Sequence, residues 1–244
     1  MTILVTGANG FVGTALCRRL VQGGHNVRGV MRTLTSAEAS QAGEVVVVDD
    51  IGPGTDWCGS LDGVDAVVHL AGRVHVLADS AADPLTEFRR VNTAGTERLA
   101  RAAAAAGVRR FVFISSIKVN GESSQSVPFL AEDRPAPKSP YAISKWEAEQ
   151  ILRRVAADTG LEMVVIRPPL VYGPGVKANF LRLLQWVDRG IPLPLASVDN
   201  RRSLVALDNL VISLCAVWST LRPRVRCFWF RTGKIYRHRN WCAE

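Results

Sequence analysis

Tyr141 and Lys145 lie four residues apart in the segment "YAISK". In an α-helix this spacing places both side chains on one face. A lysine ammonium beside a phenol favours the phenolate, so we expect Lys145 to lower the pKa of Tyr141 towards the working pH. A tyrosine tuned in this way acts as a general acid and base that moves a hydroxyl proton.

Ser116 ends the apolar run "RRFVFISS" (109–116), which is typical of a strand. At the end of a strand its hydroxyl would be placed to hydrogen-bond a reacting oxygen. The Tyr-x-x-x-Lys pattern alone is also typical of a solvated helix face. Its meaning therefore depends on the elements upstream that would position it.

The upstream segment "VTGANGFVG" (5–13) joins a strand pattern at 2–6 to a helix pattern at 11–24. Glycines at this junction allow a tight turn, a close approach of the backbone to a pyrophosphate, and close packing of helix on strand. The alternative is a plain turn between packed elements, but the strand before and the helix after favour a dinucleotide site. The predicted cofactor contacts here are Gly7, Gly10, Phe11, Val12 and Gly13.

The ends of the next two strands bear on which dinucleotide binds. An acid after the second strand would favour NAD, but this sequence has Arg32 there, which suits a 2′-phosphate and favours NADP(H). A surface arginine is the alternative. Asp50 and Ile51 follow the third strand and are candidates for the adenine edge, with a solvated acid and a core isoleucine as the alternative.

Apolar strand patterns alternate with helix patterns along the chain. Continuous apolar strands separated by helices predict an α/β fold, a Rossmann-like doubly wound parallel sheet with helices on both faces. The predicted strands are 2–6, 25–32, 44–49, 65–71, 109–116 and 161–168, and the predicted helices are 11–24, 83–107 and 139–160.

Bulk composition excludes several classes of protein. A hydrophobic content of 48% and a charged content of 21% are typical of a globular domain. Five scattered cysteines form neither a metal-ligand spacing nor a disulfide framework. His69 and His75 are interpreted as core or loop histidines, with no metal site. Without a leader or an apolar run of membrane length, the sequence predicts a cytoplasmic protein with no membrane span.

Seven motifs, in order, resemble the extended short-chain dehydrogenase/reductase family, in particular its nucleotide-sugar epimerases, dehydratases and 4-keto reductases. The resemblance covers about residues 1–212. The motifs are "TGANGFVG", "DAVVHLAG", "VNTAGT", "FVFISSIKVNG", "SPYAISKWEAEQ", "IRPPLVYGPG" and "NRRSLVALDNL".

The resemblance implies a catalytic triad of Ser116, Tyr141 and Lys145. Tyrosine would move the sugar hydroxyl proton, hydride would pass between the sugar carbon and the nicotinamide, and lysine would also hold the nicotinamide ribose. The further positions that it matches to the cofactor are Leu70, Ala71, Gly72, Asn92, Ser115 and Pro168. Asn92 is equally a structural helix asparagine. Asn179 and Arg202 resemble residues that hold the substrate diphosphate.

The family resemblance leaves two activities open. Asn120 stands where many 4-epimerases have tyrosine, and Arg32 suits an NADPH-using keto reductase. The predicted activity is therefore a nucleotide-sugar epimerase or a 4-keto reductase, with a UDP-linked substrate and a homodimer as implied by the family. The alternative is a non-catalytic dinucleotide-binding module.

The chain after Val217 differs in composition from the rest. From Trp218 onward there are seven basic residues and one acid, which is six of the net +8 charges. When the codons of Cys227–Cys242 are read two nucleotides later, they permit the sequence "FLVSDGKDISTPELV". Every codon choice for 228–230 and for 240–242 gives Leu-Val in that frame. The shifted sequence resembles the family's continuation. We therefore expect a dinucleotide-binding domain (1–168), a truncated substrate lobe (169–217) and an out-of-frame tail (218–244). The tail's basic character is then no sign of a nucleic-acid partner.

Overall fold

The computed structural model describes residues 1–33, 43–74, 83–124, 128–130, 133–192, 201–220, 226–229 and 236–237. Seven strands of these ranges form one sheet in the order β10-β6-β5-β4-β1-β2-β3, and all its pairings are parallel. Its strands are β1 (Thr2–Thr6), β2 (Asn26–Met31), β3 (Glu44–Val47), β4 (Ala66–His69), β5 (Arg110–Ile114), β6 (Glu162–Arg167) and β10 (Arg226–Trp229).

The helices connect these strands and cover both faces of the sheet. They are α1 (Phe11–Gln22), α2 (Pro84–Phe88), α3 (Gly95–Ala105), α4 (Pro140–Thr159), α5 (Ala178–Asp188) and α6 (Leu207–Thr220). The helix predicted over 83–107 is confirmed in position, but a π-helical segment, Arg89–Ala94, separates α2 from α3. The predicted fold class is confirmed, and each predicted strand and helix appears with ends shifted by a few residues.

Successive strand residues face two different hydrophobic cores. Val67 lies in the first core with Leu99 of α3 and Leu152 of α4. Its neighbour Val68 lies in the second core, on the other face, with Leu16 of α1. Because both faces of the sheet are covered, most side chains of a central strand are apolar. This explains why the strands are continuous apolar runs in the sequence and do not alternate.

Residues 169–217, predicted as a partial substrate lobe, contribute both to small sheets and to the main core. β7 (Leu170–Tyr172) pairs with β9 (Leu204–Ala206), and β8 (Arg201–Arg202) pairs with β11 (Tyr236–Arg237). The helix α6 packs onto the large sheet through Leu210 and Leu214, both fully buried in the second core. At the other end of α6, the Arg110 guanidinium donates to the Val217 carbonyl at 2.7 Å.

Part of the tail joins the fold. β10 extends the large sheet by pairing with β6 from Arg226↔Val164 to Trp229↔Arg167. A parallel edge strand requires only a short extended segment of backbone. The shifted-frame sequence also has an apolar run, "FLV", at the position of β10, so either reading frame could supply this strand. The out-of-frame tail therefore stays a prediction.

Candidate active site

The predicted glycine loop lies between β1 and α1, as expected. Gly7 has φ +67°, which glycine adopts without strain, and its carbonyl accepts from the Gly10 amide at 2.9 Å. A Cβ at Gly13 would overlap the Gly7 carbonyl oxygen and lie 2.9 Å from Ala8 Cα. The three glycines thus let α1 begin directly against the turn, with Phe11 and Val12 half-buried at its start.

Leu70 and Ala71 form a wall beside this loop. A Cβ at Gly7 would lie 3.0 Å from the Ala71 nitrogen and 3.4 Å from the Leu70 carbonyl carbon. The backbone of Gly72 is equally crowded on its other side, because a Cβ there would lie 2.9 Å from Asn92 Oδ1 and 3.4 Å from Lys145 Nζ. The structure therefore brings the first glycine turn, the segment after β4 and Lys145 into one cluster.

The catalytic candidates converge because α4 begins immediately before them. Ser139 caps the helix by accepting from the Ala142 amide, and Pro140 occupies the first turn, where its missing N–H is no loss. Tyr141 then lies in the first turn and hydrogen-bonds with Ser116, which follows β5. Tyr141 and Ser116 thus meet after the end of β5, with Lys145 one turn further along α4, and the catalytic role of the three residues stays a prediction.

The expected lowering of the Tyr141 pKa is wrong for this structure. Burial raises its pKa to about 12, and the hydrogen bond with Ser116 only partly offsets this. Lys145 directs its ammonium elsewhere: Nζ donates to the Ile114 carbonyl at 2.9 Å and lies 4.5 Å from the centre of the Phe113 ring. At neutral pH Tyr141 is therefore protonated and can donate a proton.

Lys145 itself is strongly affected by its surroundings. Burial lowers its pKa to about 8, because an ammonium loses hydration there, while the negative charge of Glu149 acts in the opposite direction. The side chain is almost fully buried. A buried lysine of this kind is close to titrating at physiological pH.

Asn92 is fixed by the π-helical segment. Its amide group accepts from the Arg73 backbone amide at 2.8 Å and donates to the Arg73 carbonyl at 3.0 Å, while also donating to Ser144 Oγ at 3.0 Å. Asn92 therefore ties the loop after β4 to helix α4. Its contact with the cofactor stays a prediction, since each of these bonds is within the protein.

His69 is a core histidine, as interpreted from the sequence. Thr96 Oγ1 donates to the Asn92 carbonyl, so it accepts from His69 Nε2 at 2.9 Å, and the Thr6 hydroxyl donates to Nδ1 at 2.7 Å. Thr6 in turn accepts from the Ala71 amide at 3.1 Å. Burial, and then the charge of Lys145, lower the pKa of His69 to about 3, so the ring is neutral. His75 lies outside the described residues.

The end of β2 carries positive charge. Arg32 is exposed after β2, and its charge acts on Asp50, whose carboxylate is paired with Arg90. Although burial raises the pKa of Asp50, the hydrogen bond from Arg90 holds it below its usual value. Ile51 is buried in the first core, which favours the alternative of a core isoleucine. Arg90 was not singled out from the sequence.

Ser115 and Pro168, two predicted cofactor contacts, are buried and hydrogen-bonded within the protein. Ser115 Oγ donates to Glu149 at 2.5 Å, and the buried Pro168 accepts from the Ile117 amide at 3.1 Å. Glu149 and its partner Arg167 are further residues that sequence reasoning missed. The available signal was spacing, because Glu149 follows Lys145 by one helical turn.

The remaining predicted site residues are placed unevenly. Arg202 is exposed on β8, and the side chain of Asn179 on α5 lies outside the described residues. Asn120 is buried: its oxygen accepts from Arg167 at 2.9 Å and its nitrogen donates to the Leu130 carbonyl at 3.2 Å. Asn120 is used within the fold, and the choice between an epimerase and a keto reductase stays a prediction.

The geometry fits a dinucleotide. The glycines let the turn after β1 and the start of α1 pack closely, and α1 begins with no side-chain cap at Gly10 and no acid in its first turn. Such a helix start favours phosphate. In the part of the chain that the structure describes, no helix is long and apolar enough to cross a membrane, and no cluster of three metal-ligating side chains occurs.

Comparison with known proteins agrees with this geometry. A UDP-glucose 4-epimerase of Vibrio cholerae is 48% identical over 213 residues, which are 86% of this chain and 64% of that protein. This chain therefore spans just under two thirds of that relative. A 2-alkyl-3-oxoalkanoate reductase of Stenotrophomonas maltophilia is 31% identical over 242 residues, 97% of this chain and 69% of the reductase.

A solved structure has the same fold. MoeE5 in complex with UDP-glucose and NAD superimposes with a TM-score of 0.81 at 28% identity, covering 98% of this chain and 79% of MoeE5. Residues 3–219 match the family described as NAD dependent epimerase/dehydratase. With its glycine loop, its Ser-Tyr-Lys cluster and this match, the chain belongs to the NAD dependent epimerase/dehydratase family.

Proposed function

We propose that this chain carries the cofactor site and the catalytic group of an NAD(P)-dependent enzyme that epimerises or reduces a UDP-linked sugar at a ring carbon. The observation that supports it most is the hydrogen bond of Tyr141 with Ser116, one helical turn from Lys145 and beside the glycine loop. These groups are what transfer of a hydroxyl proton next to a dinucleotide requires.

In the proposed reaction Tyr141 moves the proton. Its protonated phenol donates to the oxygen of a sugar carbonyl during reduction, and the phenolate accepts a hydroxyl proton in the opposite direction. Ser116 hydrogen-bonds that same oxygen and keeps it near the phenol. Lys145 would hold the nicotinamide ribose, and the bound nicotinamide would supply and accept the hydride.

The glycine loop and its surroundings would hold the dinucleotide. Gly7, Gly10 and Gly13 would receive the pyrophosphate at the start of α1, and Ala71 and Gly72 would contact the cofactor near Lys145. Arg32 favours NADP(H) in this proposal, although MoeE5 was solved with NAD. Asn179 and Arg202 would hold the substrate diphosphate, for which a guanidinium is well suited.

Between the two activities, the relatives favour epimerisation. The Vibrio cholerae protein, at 48% identity, is a UDP-glucose 4-epimerase. An epimerase oxidises the ring carbon, lets the keto sugar turn over and reduces it from the other face, with no net change of cofactor. A keto reductase performs the second half alone and consumes NADPH.

A panel of UDP-sugars with NAD and NADPH, applied to the full chain, tests the proposal. Tyr141→Phe should abolish turnover, by about 10²-fold or more, because the proton donor is removed. Tyr172→Phe on β7 is the matched control and should leave turnover unchanged. Full turnover by Tyr141→Phe would refute its role, and cofactor binding without turnover of any UDP-sugar would favour the non-catalytic binding module.

A further inference from the structure

A buried ion pair lies directly behind the catalytic group. Glu149 on α4 and Arg167 at the end of β6 are 0% and 2% exposed. Arg167 Nε donates to Glu149 Oε1 at 2.8 Å and Nη2 donates to Oε2 at 2.6 Å, so the pair is bidentate. Burying two charges costs desolvation free energy even when they are well paired. The contacts around the pair indicate what it does in the fold.

The pair connects the segments that carry the reacting groups. Glu149 also accepts from Ser115 Oγ at 2.5 Å, and Ser115 is the residue before Ser116. Arg167 donates from Nη1 to Asn120 Oδ1 at 2.9 Å, and Arg167 is the residue before Pro168. One carboxylate and its arginine thus fix the ends of β5 and β6 against α4.

The charge of Glu149 also faces Lys145. The two residues are one turn apart on α4, and the carboxylate raises the pKa of the lysine against the effect of burial. The other ionisable groups around Lys145 are Tyr141 on its own helix, the neutral His69 of β4, and Arg167, which lies beyond the carboxylate. Among these, Glu149 is the one carboxylate, and it is paired with Arg167.

We propose that Glu149 is a positioning residue, which fixes Ser115 and Arg167 beneath the reacting groups and holds Lys145 in its cationic form. Its consequence for turnover rests on the function proposed above, whereas its effect on the charge of Lys145 does not. Arg167 has the opposite electrostatic effect, since it neutralises the carboxylate that Lys145 faces.

Substituting either partner should therefore shift the pKa of Lys145, in opposite directions. Glu149→Gln keeps the shape but leaves Lys145 near the unpaired cation of Arg167, so deprotonation becomes easier. Arg167→Met leaves the carboxylate unpaired beside Lys145, so deprotonation becomes harder. Both variants lose the same ion pair and are destabilised, and a purely structural role would not give shifts of opposite sign.

The test is NMR titration of the full chain labelled with ¹³C at lysine Cε, in which the Lys145 signal is identified by its loss in Lys145→Arg. Glu149→Gln should lower the Lys145 midpoint by about one pH unit, and Arg167→Met should raise it. Glu149→Asp disturbs the packing but keeps the charge, so its midpoint should stay closer to that of the parent than the midpoint of Glu149→Gln.

Shifts of the same sign in Glu149→Gln and Arg167→Met, or a Glu149→Gln midpoint equal to the parent's, would overturn the proposal. So would equal shifts for Glu149→Asp and Glu149→Gln. Where UDP-sugar turnover is detected, the alkaline limb of kcat should move with the Lys145 midpoint. If no turnover is found, the proposed function fails on its own, and the titration still decides the role of Glu149.

Discussion

At the scale of single residues, the site depends on which polar groups are neutral and which are charged. His69 lies in the core between Thr6 and Thr96, and both of its ring nitrogens are used, one as acceptor and one as donor. A second proton on the ring would disrupt the bond with Thr6. The neutral histidine therefore joins β1, β4 and the π-helical segment in one hydrogen-bonded chain.

His69 makes stability depend on pH. Its pKa is about 3 in the folded protein against 6.5 ordinarily, so between these values the unfolded chain binds the additional proton and stability falls as pH falls. From pH 7.5 to 5.5 the loss should be about 1.4 kcal/mol. Urea unfolding at both values measures it. His69→Gln should lose that part of the pH dependence, and an unchanged dependence in this variant would contradict the assignment.

Arg32 tests the preference between dinucleotides. Arg32→Ala should weaken NADP binding by about tenfold or more, because a charge-assisted hydrogen bond to the 2′-phosphate is lost, and should change NAD binding by less than about twofold. Calorimetric titration of both dinucleotides measures this. Arg154→Ala on the exposed side of α4 removes the same net charge and is the control. Equal losses for NAD and NADP would argue that Arg32 is a plain surface residue.

At the scale of elements, the site is formed where helices begin at the ends of strands. Helix α1 starts against the glycine turn, and α4 starts one residue before Tyr141. The π-helical segment adds a residue to one turn and brings Asn92 to the contact between the loop after β4 and α4. The chemistry thus depends on close contacts between helix starts and loops.

Gly13→Ala tests the closest of these contacts. The added methyl group would overlap the Gly7 carbonyl, so α1 must move away from the turn; the loss of stability should be about 1–3 kcal/mol, with at least about tenfold weaker cofactor binding. Gly54 is exposed with nothing within 4 Å of a built Cβ, so Gly54→Ala is the control. Unfolding and cofactor titrations measure both, and wild-type binding by Gly13→Ala would contradict the predicted pyrophosphate site.

At the scale of the whole molecule, the described part of the chain presents apolar surface on and after α5. Leu181 and Leu184 are both 37% exposed, Trp186 is 48% exposed and Ile191 is 43% exposed. Large apolar side chains exposed on a surface favour association when they form a contiguous patch. If the chain after Val217 is read out of frame, part of the substrate lobe is missing. We infer that the missing part would cover this apolar surface.

Restoring the reading frame after Val217 tests that hypothesis. The repaired chain, extended by its downstream codons, should have a higher thermal midpoint and less aggregation, because the new residues cover apolar surface. Calorimetry and light scattering measure the two effects, with the encoded chain as reference. Equal thermal midpoints would count against the idea, as would resequencing that finds no family-like codons downstream.

Local patterns predicted much of the fold and the main members of the site. The strand and helix order, Gly7, Gly10 and Gly13, and the Tyr141–Lys145 pair all followed from short-range spacing, which is governed by local backbone and side-chain geometry. The π-helical segment was not predicted, because it depends on how Asn92 packs against α4. Ile51 was a candidate for the adenine edge, whereas its burial in the core explains it.

The sequence by itself determined the elements, the glycine turn and the residue types that can move a proton. Only the tertiary structure decided their electrostatics: a raised pKa for Tyr141, a lowered one for Lys145 and a neutral His69. It also paired Ser115, Glu149 and Arg167, which come from three different elements. The reason is physical, since a pKa depends on burial and on neighbouring charges, and both arise only when distant segments pack together.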